Sequence, residues 1–535
     1  MILSLLASAG GGFLLSLSFP PARIDLFAWI AFVPLYYCVE SSPRASAGFL
    51  SGTVFGLVFF LFDVSWIYRT LAVHGHFAPA VAGLLFAAMV LTLALFPAIF
   101  GLLLAFFSSK GFRPSLTGPF LWTCLEYVRA VAFTGFPWDL TGYSQVERLA
   151  VVQIADVTGV YGISFLILLV NGAVWELARG LASGQRPPWK LMVTAGSAIA
   201  LVLAYGEIRL NHFSSVGRED QGLAVGVLQA NIPQEVKWTD GAREYTFRSY
   251  ERLGESAVKD EARLLVWPET AVPVLFGTQE RGWKRPGEIS QKLRVPMLVG
   301  APSVRMKGSQ THYYNSAFLL DGPSLRYRYD KIHLVPFGEY MPLTWLLPLG
   351  PGIAAREADY SPGEAMTVMS VEGYPPFSVL ICYEAIFPEL SRAALKKGAR
   401  MLINITNDGW FGATAAPYQH LGMARLRSVE NRVWLVRCAN TGVSAAFDPA
   451  GRLIKSIPLN EEGFFVARVP NLSNAGSLYT RMGDLFVWGC MTIVGILALQ
   501  SANFVSMASV GRFALNFPLR TRPNRPRRRD GGRKP

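Results

Sequence analysis

The chain has 535 residues, of which 51% are hydrophobic and only 16% charged, with a formal net charge of +13. Soluble domains carry about 25% charged residues, so a wholly soluble protein is excluded, and the mean hydropathy of +0.30 agrees. Disordered, collagen-like and disulfide-scaffold classes are excluded too, because apolar surface is ample and 5 Cys cannot staple a chain of this length.

A bilayer core takes about 20 apolar residues as helix. Seven charge-poor runs of that kind precede residue 210, at roughly 2–19, 24–41, 47–68, 77–107, 114–133, 159–178 and 190–208. Pro97 is expected to break or kink the overlong fourth run. Ala7-Ser8-Ala9 resembles a signal-peptide cleavage site, but an uncharged start and a short apolar run make the first segment a span. An eighth run lies near 483–506. The expected organisation is a seven-span transmembrane bundle (1–210), an α/β domain (211–480), a C-terminal span (481–508) and a basic tail (509–535).

Lys and Arg in short loops set orientation. Arg44, Lys110, Arg113, Arg179, Arg186 and Lys190 fall in alternate loops, and the tail adds a cluster from Arg512 to Lys534. These signals put the N-terminus and the tail in the cytoplasm and the α/β domain outside the membrane, facing the periplasm in a two-membrane bacterium. The tail is expected to anchor topology on anionic lipid rather than bind nucleic acid, since no aromatic or structured motif accompanies it.

Within 211–480, strands are expected at Leu223–Ala230, Leu264–Trp267, Pro296–Ala301, Ser378–Ile381, Met401–Ile405, Val433–Arg437 and Val443–Phe447. A hairpin is expected from His312–Leu320 and Ser324–Tyr329 around Asp321-Gly322, and helices at Arg243–Lys259, from Pro388 and at Tyr418–Glu430. This alternation argues for α/β layering around a buried sheet.

Reactive side chains recur just after strands, where α/β folds gather their sites. Glu269 follows Leu264–Trp267, Cys382 follows Ser378–Ile381, and Asn407-Asp408 follow Leu402–Thr406; Lys331 is a fourth candidate. A lone cysteine is usually inert and buried, and Cys38, Cys124 and Cys490 in spans fit that, as does Cys438. Cys382 differs, since a thiol at a strand-to-helix junction is favoured as thiolate by a helix N-terminus. Glu, Lys and Cys together can supply a base, an electrostatic stabiliser and a nucleophile for acyl transfer. Glu269 and Lys331 could equally be a structural ion pair. The six histidines show no zinc-ligand spacing, and no phosphate-binding loop or dinucleotide fingerprint occurs. A Cys–His dyad using His333 or His420 stays open. A transporter is disfavoured, because Asp63 and Glu126 are the few charges within spans and Glu126 lies close enough to Arg129 to pair.

Trp267-Pro268-Glu269, Lys331 with His333-Leu334-Val335-Pro336-Phe337-Gly338-Glu339, and Ile381-Cys382-Tyr383-Glu384 together resemble the nitrilase superfamily. With the flanking spans, Phe136-Pro137-Trp138, Gly142-Tyr143, Asn231-Ile232-Pro233-Gln234 and Asn407-Asp408-Gly409-Trp410-Phe411, the chain resembles the membrane-embedded apolipoprotein N-acyltransferase family. The resemblance implies an αββα sandwich beside about eight membrane spans. It implies Cys382 as nucleophile, Glu269 as base and Lys331 as oxyanion stabiliser. Glu339, Tyr383 and Glu384 match positions that support the triad or its lids, and Trp238 and Trp410 match aromatic positions near the substrate entrance. Leu343–Leu349 and Phe411 are candidate apolar lids, ordinary packing being the alternative. The implied reaction is ping-pong transfer of an acyl chain from a phospholipid, phosphatidylethanolamine being expected, through a cysteine thioester to the α-amine of a diacylglyceryl-cysteine apolipoprotein. No cofactor, metal or nucleic acid is implied, and a monomer in the inner membrane is expected. The rival is a membrane-anchored amidase of the same superfamily, in which water takes the acyl group.

Overall fold

The computed structural model describes residues 1–514 apart from 76, 187, 215–221, 234–236, 238–239, 278–282, 342–358 and 472–474. The stretch Leu343–Leu349, Gln234, Trp238 and the tail beyond 514 therefore lie outside the described residues. The N-terminal part is helical: α1 (Ile2–Leu17), α2 (Val33–Ser41), α3 (Ala45–Asp63), α4 (Pro79–Ser109), α5 (Pro114–Val131), α6 (Val160–Ser183) and α7 (Trp189–Ser214). Among the described residues, five helices are long and apolar enough to cross a membrane, at Ala45–Asp63, Pro79–Ser109, Val160–Ser183, Trp189–Phe213 and Leu485–Ala502.

Lipid tails are as apolar as leucine, so spans associate through close packing of small residues. Gly48, Gly52 and Gly56 recur one helical turn apart on α3 and face α4. A Cβ on Gly52 would sit 2.0 Å from the Pro97 carbonyl oxygen, and one on Gly48 would sit 2.3 Å from that of Gly101. The backbones thus touch along the stripe. Helix α4 continues through Pro97 without the expected break.

The expected second span, 24–41, is not one helix. Residues Asp25–Trp29 form a 3-10 turn, and α2 has only 9 residues. A long-range contact holds the break: the Asn171 side chain on α6 accepts from the Phe32 N–H and donates to the Ala28 carbonyl, both at 2.9 Å. These groups would otherwise belong to helix hydrogen bonds. The Asp25 carboxylate is taken by Arg148.

The α/β part contains two 6-stranded sheets. Its elements run β1 (Gly222–Gln229), α8 (Asp240–Lys259), β2 (Leu264–Val266), α9 (Lys284–Leu293), β3 (Met297–Lys307), β4 (Gln310–Asp321), β5 (Ser324–Asp330), β6 (Val368–Met369) and β7 (Phe377–Ile381). They continue with α10 (Pro388–Lys396), β8 (Met401–Thr406), α11 (Ala416–Asn431), β9 (Trp434–Ala439), β10 (Ser444–Phe447), β11 (Leu453–Ile457) and β12 (Gly463–Pro470), before the last helix α12 (Leu485–Ala514). The sheet orders are β12-β1-β2-β3-β4-β5 and β11-β10-β9-β8-β7-β6. Alternate residues of β1 divide between two cores. Leu223, Val225 and Val227 join Val379, Ile403 and Val436 of the second sheet, while Leu228 packs with Phe247 and Tyr250 of α8. With α10 and α11 on the far face of the second sheet, the layers are the αββα sandwich. Strands β11 and β12 have no counterpart in the sequence reading. β12 returns antiparallel to β1, from Gly222 opposite Pro470 to Gln229 opposite Gly463, and ties the end of the domain to its start.

The sandwich and the bundle share a core. Leu426 and Val429 of α11 cluster with Trp138, Val152 and Ile167 of the membrane part. Replacing Gly52 by Leu should separate α3 from α4 and cost about 1–3 kcal/mol or more, read as a lowered melting temperature in detergent. An unchanged melt would refute the packing account.

Candidate active site

The candidate residues converge at the carboxyl ends of the strands. Glu269 follows β2 by way of Trp267-Pro268. Its approach is possible because position 300 on β3 is glycine: a Cβ there would meet the Pro268 carbonyl oxygen at 2.4 Å and the Glu269 Cα at 2.7 Å. Lys331 follows β5, and its buried ammonium lies 3.7 Å from Glu269 Oε1 and 2.9 Å from the Glu339 carboxylate. Asn315 on β4 donates from one amide nitrogen to both carboxylates, at 2.7 Å to Glu269 and 2.8 Å to Glu339. The backbone N–H of Asn407 donates to the other Glu269 oxygen at 2.8 Å, and that of Val335 to Glu339 at 2.8 Å. Burial works to lower the Lys331 pKa, but Glu339, Glu269 and Cys382 outweigh it and hold the ammonium above its ordinary value. Two carboxylates therefore flank one cation and share one amide donor.

Cys382 begins the 3-10 turn Cys382–Ile386 immediately after β7, with φ of 53°. Burial, then Glu269, pushes its thiol well above the usual range, against Lys331 and a hydrogen bond with Thr406. This corrects the expectation of a thiolate favoured by a helix terminus: helix α10 starts only at Pro388, and desolvation dominates. Burial therefore disfavours a thiolate at this position.

Glu384 anchors the turn. Its carboxylate accepts from the N–H of Ile381 at 2.7 Å, of Ile332 at 2.7 Å and of His333 at 3.2 Å, and from the Tyr329 hydroxyl at 2.7 Å. Burial pushes this carboxyl up to about 7 against those donors. The Cys382 turn and the Lys331 segment are thereby bound to one side chain. Lys237, also buried, donates to Thr270 Oγ1 at 3.0 Å, and burial lowers its ammonium to about 8 against the pull of Glu269.

Tyr383 is buried edge-on to Phe387, whose ring stacks on His333 at 3.7 Å. Neither histidine forms the dyad that the sequence left open: His333 stacks on aromatics, and His420 bonds the Cys382 carbonyl rather than its thiol. Trp410 is exposed, and its carbonyl accepts from Thr70 of the membrane part. Phe411 packs edge-on against Trp66 and Trp138, so it belongs to the seam between the two parts. Glu126 and Arg129 do not simply pair as expected. Glu126 accepts from the Thr141 N–H at 2.6 Å, and Arg129 donates to the Trp138 carbonyl at 2.8 Å, so both hold the 138–141 loop.

Asn315, Thr406 and Lys237 escaped the sequence reading. Asn315 sits in mid-strand, where no spacing signal sets it apart from a structural amide. Lys237 gave no signal beyond its neighbourhood to Asn231-Ile232-Pro233. Among the described residues, no group of His, Cys, Asp and Glu is arranged to hold a metal ion.

Residues 11–173 match the family described as apolipoprotein N-acyltransferase N-terminal domain, and residues 224–475 match carbon-nitrogen hydrolase. The apolipoprotein N-acyltransferase of Geobacter metallireducens is 40% identical over 493 residues, covering 91% of this chain and 93% of that protein. That of Methylococcus capsulatus is 34% identical over 505 residues, covering 92% and 95%. A mutant of the Nesterenkonia AN1 amidase from the nitrilase superfamily superimposes with a TM-score of 0.37 at 21% identity, over 50% of this chain and 96% of that one.

Replacing Asn315 by Leu removes the donor shared by two carboxylates. Losing a hydrogen bond to a charged group costs about 1.5–3 kcal/mol, so modification of Cys382 at a fixed pH should slow by about tenfold or more. Wild-type modification rates would remove Asn315 from the support of the site.

Proposed function

Because the chain belongs to the apolipoprotein N-acyltransferase family, we propose that it moves a fatty acyl chain from a phospholipid through Cys382 to the N-terminal α-amine of a diacylglyceryl-cysteine apolipoprotein. The observation that carries the residue roles is the buried Glu269–Lys331 contact at 3.7 Å, beside a thiol whose proton both groups influence.

In the first half-reaction the Cys382 sulfur attacks the ester carbonyl carbon while Glu269 takes the thiol proton. The developing oxyanion faces the Lys331 ammonium, a charge already in place before reaction. The carbon–oxygen ester bond breaks, Glu269 returns the proton to the leaving alkoxide, and a lysophospholipid departs from a thioester. In the second half-reaction the acceptor amine attacks the thioester carbonyl. Its proton passes to Glu269, the carbon–sulfur bond breaks, and the thiol is re-formed beside an amide. Glu339 holds Lys331 as a cation throughout, and Asn315 ties the two carboxylates to one frame.

Phosphatidylethanolamine is the proposed donor, and the protein acts as a monomer. Its α/β domain faces the periplasm from the inner membrane, with the basic tail on the cytoplasmic side. A lipid donor and a lipidated acceptor both lie in the bilayer, which gives the helical part its purpose. Trp410, exposed and linked to Thr70, and Trp238 are proposed to border the substrate entrance. Tyr383 and Glu384 support the nucleophile turn.

Intact mass of the detergent-purified protein after incubation with phosphatidylethanolamine tests the reading. A gain of one acyl chain, released by hydroxylamine and absent from Cys382→Ala, is expected. A diacylglyceryl-cysteine peptide should then discharge the adduct faster than water does. Discharge by water alone would make the enzyme a hydrolase, and retained acylation of Cys382→Ala would remove the mechanism.

A further inference from the structure

Gln419 and His420 are consecutive residues of α11, both fully buried, and they face opposite partners. Gln419 looks into the membrane part. Its side-chain oxygen accepts from the Trp66 indole at 3.0 Å and the Trp138 indole at 2.9 Å. Its nitrogen donates to the Asp63 carbonyl at 3.0 Å and to Asp63 Oδ1 at 3.2 Å. Every donor and acceptor of the amide is used, and all partners come from the end of α3, the residues just after it and the loop after α5.

His420 looks into the candidate active site. Its Nε2 lies 3.1 Å from the carbonyl oxygen of Cys382. Its Nδ1 lies 3.1 Å from Asp408 Oδ1 and 3.1 Å from Arg437 Nη2, which is itself held at 2.6 Å on Asp408 Oδ2. A backbone carbonyl can only accept, so Nε2 carries the hydrogen that goes to Cys382. Burial, then Arg437, lowers the His420 pKa against the pull of Asp408. The ring also packs against Trp138 at 5.8 Å and Phe411 at 6.3 Å.

The bond matters because of what it holds. With φ of 53°, Cys382 occupies a left-handed conformation that non-glycine residues adopt only when their surroundings impose it. Glu384 fixes the N–H of Ile381, on one side of that residue. His420 fixes the carbonyl on the other side. Turning that carbonyl would swing the Cα–Cβ bond and move the sulfur relative to Glu269 and Lys331.

We propose that His420 is a positioning residue that holds the Cys382 turn in its strained conformation, and that the Gln419–His420 pair makes this geometry depend on docking of the membrane part. The inference rests on Cys382 being the nucleophile. On this account the helices complete the active site as well as anchoring it, and the reacting sulfur is in register only when α3 and the 136–141 loop are seated.

The test uses the full-length protein in detergent with His420→Phe, His420→Gln and Gln419→Leu. Phenylalanine keeps the ring contacts with Trp138 and Phe411 but has no donor, and glutamine restores an N–H at similar reach. The lipid-independent readout is the rate of Cys382 alkylation by iodoacetamide. The second readout is the rate of acyl-adduct formation against phosphatidylethanolamine concentration, and the third is the melting temperature. His420→Phe is expected to slow alkylation and saturating acylation by about 10²-fold, the scale on which ångström misplacement acts. The half-saturating lipid concentration and the melt should hold, and His420→Gln should recover most of the rate. Gln419→Leu should lose rate in the same pattern. Wild-type rates in His420→Phe would overturn the positioning role. Equal losses in His420→Phe and His420→Gln, tracking a lowered melt, would also overturn it by assigning the residue to folding. Wild-type rates in Gln419→Leu would overturn the coupling to the membrane part. A wild-type protein that is alkylated but never acylated would sink the acyltransferase reading, while alkylation would still decide the role of His420.

Discussion

Helix α11 is the constraint on which the rest of the molecule depends. It is buried between the second sheet and the membrane part, yet it and the turn after it carry Arg425, Arg427 and Arg432, whose charges cannot be left unpaired away from water. Arg425 pairs with Glu147 at 2.6 Å, Arg427 donates to the Tyr143 hydroxyl at 2.7 Å, and Arg432 meets Asp156 at 2.8 Å. All three partners lie in the connection between α5 and α6 in the membrane part. Pulling the two parts apart would strip the carboxylate partners from Arg425 and Arg432 and leave Arg427 with Glu430 alone, so the interface is maintained by the cost of separation as well as by apolar contact.

The polar layer above the sheets follows the same logic at smaller scale. Glu269 and Glu339 are two carboxylates around one buried ammonium, and their surplus charge is met by Asn315 and by backbone N–H groups. Burial pushes the Cys382 thiol well above its ordinary range. On the proposed mechanism the proton therefore moves during attack rather than leaving a standing thiolate. A neutral thiol is also the less nucleophilic form toward stray electrophiles between turnovers.

In the membrane part, polar side chains replace missing backbone order. Asn171 substitutes for helix hydrogen bonds where 24–41 is interrupted, and Glu126 and Arg129 hold the 138–141 loop. That loop presents Trp138 to Gln419. Polar groups at this depth mark places where backbone leaves the helical form and must be satisfied from elsewhere. The glycine stripe on α3 does the opposite work: it removes side chains so that two regular helices can meet.

Much of this was legible in the residues themselves. Charge-free runs announce helices that must be covered by lipid or protein, the near-continuous apolar run Leu223–Ala230 announces a buried strand, and Glu269, Lys331 and Cys382 stand where strands end. Those signals are local, because burial period and turn chemistry are written into neighbouring residues. What tertiary structure alone decided is what each buried group is buried against. The break in 24–41 depends on a side chain 143 residues beyond Ala28, the closing strand on Pro470 meeting Gly222, and the orientation of the Cys382 carbonyl on a histidine 38 residues later. Periodicity cannot carry such information, since a buried histidine or asparagine looks the same in sequence whether it satisfies its own helix or holds a strained turn on another element.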